Sequence, residues 1–154
     1  MTQLGLAGVQ IGTHVGDRDL DDPSMEAILA SAEDLDAAVF VHPWDMLAPD
    51  RTARYWMPWL VAMPVETTIA ISSILFGGVL ERLPKLRIIT HHLGAMAPFF
   101  DKRIRYGYDQ FGSRTADEDY GALLKSMAKH PVEDFRMFHG DTAVNGSASA
   151  IRCG

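Results

Sequence analysis

Four short apolar runs, separated by stretches with helical spacing, govern what this chain can fold into. They are "VQIGT" at 9–13, "AAVFVH" at 37–42, "LRIITHH" at 86–92 and a run inside "DFRMFHGDT" near Met137. Between the first two, "DDPSMEAILASAEDLDA" carries Pro23 and Ser24 as start signals. Met25, Ile28, Leu29, Ala32 and Leu35 then fall on one helical stripe. "VETTIAISSILFGGVLERL" predicts a long helix over 65–83, apolar on most faces and ended by Pro84. Residues 95–111 and 116–129 read as helices, 43–58 as a loop, and a last helix starts at Gly146. Alternation of this kind predicts an α/β fold with a parallel sheet and helices outside it. An open doubly wound sheet and part of a (β/α)₈ barrel both satisfy it. No glycine-rich phosphate loop follows the first run, which removes the main sign of a nucleotide-binding sheet.

Histidine stands at or just beyond the end of every run: His14, His42, His91 with His92, and His139. In parallel α/β folds chemistry collects at the C-terminal ends of strands. His42 has the best claim to function. It ends an apolar strand, and imidazole is the commonest metal ligand. The bland reading is a histidine bonded to a backbone carbonyl. His91 and His92 are neighbours, so on a strand they point to opposite faces. His14 and His139 read as polar strand-end residues facing water, and His130, before Pro131, as a solvated loop residue. Asp45 and Asp141 are candidate acids, although loop aspartates commonly bond their own backbone. Tyr55, Trp56 and Trp59 can wall a pocket or simply be core. No GxSxG elbow, CxxC pair or HExxH helix is present.

Charge and cysteine content narrow the classes. Twenty acidic against 14 basic residues give a net charge of −6, which argues against a nucleic-acid partner. A single cysteine, Cys153, excludes an internal disulfide and fits a reducing, cytoplasmic setting. The start "MTQLGLAGVQIGTH" has no basic leader. The longest uncharged apolar stretch, 67–80, falls short of the roughly 20 residues a membrane span needs. No membrane partner is expected.

Three segments carry a resemblance. "FVHPWDM", "YWMPWLVAMPVETTIAISSILFGGVLERLPKLRIITHHLGAMAPFFDKRI" and "FHGDTAVNGSASAIRCG" are similar to the amidohydrolase-related family that includes aminocarboxymuconate semialdehyde decarboxylase and the resorcylate-type decarboxylases. The resemblance implies a (β/α)₈ barrel with a divalent metal, zinc first and manganese second. It implies His42 as a metal ligand ending the fifth strand. It implies His92 as the catalytic histidine after the sixth, with Pro98 and Phe99 following at the family spacing and His91 as the outward neighbour. Trp56 would lie near the substrate, and Arg103 would reach toward the active site of a second protomer.

The departures matter too. The family's first-strand His-x-His or Glu-x-His pair and its eighth-strand aspartate have no counterpart here, and the "GDTA" setting of Asp141 matches the seventh strand. Residues 1–154 are therefore expected to form one partial barrel domain of about four βα units, family strands four to seven. Alone, it would bind metal weakly or not at all. The function implied is that of a metal-dependent nonoxidative decarboxylase of a small aromatic or muconate-type carboxylic acid, acting as a homo-oligomer. A hydrolase of the same family and an inactive truncated product are the rival readings.

Overall fold

The computed structural model describes residues 3–110, 122 and 125–153. Most of the helix expected over 116–129 lies outside them. The apolar runs become strands β1 (Gly8–Ile11), β4 (Ala38–Val41), β5 (Arg87–Thr90) and β6 (Phe138–Gly140). They pair in the order β1-β4-β5-β6, every neighbour parallel. Each is consecutive along the chain within this sheet, with the intervening helices as crossovers, as the alternation predicts. A two-stranded hairpin adds to the alternating pattern: β2 (His14–Val15) pairs antiparallel with β3 (Arg18–Asp19) just beyond β1.

One face of the sheet is covered. Val39, Val41 and Ile88 are buried among Leu29 and Ala32 of α1 (Glu26–Asp34) and Ala70, Ile71, Ile74 and Leu75 of α3 (Met63–Phe76). The other face is the row Gln10, Phe40, Ile89 and His139, aligned by register and left half-buried or exposed. The other α-helices described are α2 (Pro49–Thr52), α4 (Val79–Arg82), α5 (Asp101–Asp109) and α6 (Ala148–Cys153).

The helix expected over 65–83 is divided. Gly77 caps α3, and Gly78 at φ 65° starts α4, a left-handed backbone that glycine adopts without a Cβ clash. Gly77 has a different reason to be glycine. A Cβ there would stand 2.3 Å from Asp21 Cβ, so the end of α3 meets the chain leading into α1 with no room for a side chain. At its other end α3 extends backwards through a π-helical turn, Pro58–Ala62. The combined helix, Pro58–Phe76, is long and apolar enough to cross a membrane, which the shorter uncharged run in the sequence did not suggest. Its Glu66, Thr67, Ala70, Ile71, Ile74 and Leu75 are buried in this protein's own interior along one helical face, while Trp59, Leu60 and Val61 at its start are exposed.

Candidate active site

The register that builds the open face also builds a site at its C-terminal rim. Phe40 pairs with Ile89 and Ile89 with His139. Two residues further on, the same pleat carries His42, His91 and Asp141. The ladder continues that far, because His42 N–H donates to Ile11 O at 3.0 Å and Asp141 N–H to Thr90 O at 3.1 Å. Side chains two apart share a face, so the three functional groups converge. The His42 and His91 rings lie 4.4 Å apart between centroids, and Phe40 meets both edge-on from the row below. His91 Nδ1 is hydrogen-bonded to Asp141 Oδ2.

This corrects the expectation that His91 turns away from the pocket. Alternation from Ile89 sets His91 on the open face, and it gives out only beyond, because β5 stops at Thr90. His92 at φ 56° and Leu93 at φ 54° then adopt the left-handed conformation, followed by Gly94 at φ 75° and Ala95 at φ 53°. Each such non-glycine residue costs on the order of 1 kcal/mol, a strain that persists only where surroundings enforce it. Asp141 Oδ1 accepts the Leu93 N–H at 3.2 Å, and Thr68 Oγ1 of α3 accepts the Met96 N–H at 3.2 Å. The turn keeps His92 beside His91, 4.1 Å between ring centroids, and brings its Nδ1 to 3.3 Å from Thr67 Oγ1 of α3. His42 and His92 thus stand at the same end of adjacent parallel strands, as expected, with His91 between them and Asp141.

The electrostatics separate these groups. Burial first, and then the neighbouring His91 and His42, push His92 down to about 4, against the pull of Asp141. Its imidazole is neutral at neutral pH. Burial opposes ionisation of Asp141, but the N–H groups of Ala143 and Leu93 and the His91 ring hold its carboxyl below the usual carboxylate value. Asp141 is therefore an anchored anion with His91 as its partner, a role not assigned to it from sequence.

Trp56 and Arg103 do not touch this group. Trp56 is 75% exposed, in left-handed backbone, with its ring edge-on to Trp59 at 6.0 Å. Arg103 is exposed on α5. His139 is exposed in the open row of β6, as expected. His130 is not a free loop residue: it caps the turn at 131–137 by accepting the Val132 N–H, and it faces Asp109 at 3.3 Å. His14 does not face water alone either, since both its ring nitrogens meet backbone carbonyls.

A metal ion needs several protein donors around one point. Among the described residues no three histidine, cysteine or carboxylate groups are so placed. His42 suits one position, with ring nitrogens that meet no hydrogen-bond partner among the described residues, whereas His91 and Asp141 satisfy each other. The donor groups among the described residues do not close a metal site.

The amidohydrolase family pattern matches residues 1–150. A 2-amino-3-carboxymuconate-6-semialdehyde decarboxylase from Dictyostelium discoideum is 50% identical over 107 residues, covering 70% of this chain and 30% of that protein. A 5-carboxyvanillate decarboxylase structure from Sphingomonas paucimobilis superposes with a TM-score of 0.81 at 26% identity, over 99% of this chain and 44% of that one. A dihydroxybenzoic acid decarboxylase structure from Polaromonas, with bound manganese and 2-nitroresorcinol, gives 0.74 at 19% identity over 99% and 47%, a likeness of fold. The chain spans about a third of the length of the curated relatives it matches and under half of these two structures.

Proposed function

The chain belongs to the amidohydrolase family, and from that premise we propose that it forms the strand-end histidine section of a metal-dependent nonoxidative decarboxylase for small aromatic or muconate-type carboxylic acids. The observation that carries the reading is the convergence of His42, His91, His92 and Asp141 on the C-terminal rim of adjacent parallel strands. The sheet is read as four βα units of a (β/α)₈ barrel, whose chemistry sits at that rim. The decarboxylases among its relatives support the reaction class, and the manganese in the Polaromonas structure supports a divalent metal.

In this reading His42 contributes one metal ligand. The metal, when bound, supplies Lewis-acid charge stabilisation. The remaining donors lie outside the group described here. Decarboxylation needs a proton delivered to the substrate carbon as the bond to the carboxyl group breaks and carbon dioxide leaves. His92 serves that transfer. Its neutral ring is held by Thr67 through Nδ1, and a substrate carboxylate beside it raises its proton affinity toward the working range. Asp141 fixes His91 so that its ring packs between His42 and His92. Trp56 walls the substrate, and Arg103, exposed on α5, grips a carboxylate in the site of a second protomer.

Replacing the matched segment of the Dictyostelium decarboxylase with residues of this chain tests the reading. Carbon dioxide release from the carboxymuconate substrate within about tenfold of the parent, a barrier change of about 1.4 kcal/mol, is expected. A folded, metal-loaded hybrid with no release would overturn it.

A further inference from the structure

Beyond the histidine row, the end of β1 carries a second charged group. His14 begins β2, and both its ring nitrogens face carbonyl oxygens: Nδ1 is 2.8 Å from Gly16 O, and Nε2 is 2.9 Å from Asp45 O. A carbonyl only accepts, and a neutral imidazole has a single N–H to give. Both contacts are satisfied at once only by the imidazolium. A counter-charge is in place. Glu66 of α3, 4% exposed, sets Oε2 3.8 Å from His14 Nε2. The same carboxylate accepts the Leu47 N–H through Oε1 at 2.6 Å and faces the Thr13 hydroxyl through Oε2 at 3.5 Å. The segment running on from His42 is thus gripped at two points, Asp45 O and Leu47 N–H, by a pair rooted in the core helix. The other charged group acting on the ring is the Asp45 carboxylate, and Asp19 stands opposite His14 in the hairpin register. Asp45 favours a cation.

We propose that His14 is carried as an imidazolium and that the His14–Glu66 pair positions the loop that presents His42. What His42 does rests on the reading above; the charge state of His14 does not. The Asp45 carbonyl, opposed by burial and helped by Gly16 and Glu66, raises His14 above the ordinary histidine value. A group raised on folding stabilises fully below its unfolded value of about 6.5, and that contribution is lost as pH rises through the folded value. The loop is therefore held below the folded His14 value and released as pH rises through it.

Long-range proton–nitrogen spectra of the intact chain, titrated with pH, decide it. The expected result is protons on both His14 ring nitrogens at a pH where histidine in an unfolded peptide is already neutral. Protection of the Leu47 amide, corrected for intrinsic exchange, falls with the same midpoint. Glu66→Gln shifts that midpoint down. His14→Gln, with one amide group to donate, removes the pH dependence of Leu47 protection. If Glu66→Gln does not fold, the titration of the unaltered chain still decides. A single protonated nitrogen on His14 in that range, or Leu47 protection indifferent to its titration, overturns the proposal.

Discussion

At the scale of single residues, Asp141 and His92 do the most to define the rim. Asp141 takes the Leu93 and Ala143 N–H groups through one oxygen and the His91 ring through the other. Asp141→Asn keeps the shape and removes the charge, weakening charge-assisted bonds, and should cost about 1–3 kcal/mol. Urea unfolding measures this, and a variant indistinguishable from the parent would show that the carboxylate is merely solvated. His92, held at about 4, has the opposite linkage sign to His14. Its folded value lies below its unfolded one, so the unfolded chain takes up the proton first as pH falls. Stability should therefore drop between about pH 6.5 and 4, by up to about 3 kcal/mol, relative to His92→Asn. Parallel stability curves for the two proteins across that window would contradict the burial argument. The sequence made His42 and His92 legible through their motifs and strand-end positions. It hid the part played by His91, because the left-handed turn at His92 and Leu93 carries no local signature such as a glycine at those two positions.

At the scale of elements, the four parallel strands were readable because their apolar runs are short, continuous and separated by helical spacing. The tight β2–β3 hairpin was not, since two-residue strands are too short to show alternation. Nor was the break in the long helix, although "GG" stood in the sequence at 77–78. Hydrophobicity runs on through Val79 and Leu80, both buried, and masked the change of direction. The break yields a test. Gly77→Ala places a methyl group against Asp21 Cβ, where the ideal distance is 2.3 Å. Backbone on both sides must shift, a form of overpacking that costs about 1–3 kcal/mol. Alanine has the better helix propensity, so an unchanged or raised melting temperature would mean that α3 and the chain entering α1 do not meet as closely as described.

At the scale of the whole molecule, the sheet among the described residues ends at β1 and β6 and has an open face formed by Gln10, Phe40, Ile89 and His139. Unpaired edges and half-covered apolar side chains favour pairing with another copy. Light scattering should therefore give at least a dimer mass, and a monodisperse monomer with little binding of an apolar dye would contradict this. In the proposed function His42 would hold metal and His92 would move the proton. Metal content and carbon dioxide release, measured together in the Dictyostelium hybrid, separate the two roles. The account predicts that His42→Ala loses both metal and release, whereas His92→Asn keeps its metal and loses release by at least about a hundredfold. Full release from the metal-loaded His92→Asn hybrid, or undiminished metal in His42→Ala, would contradict it.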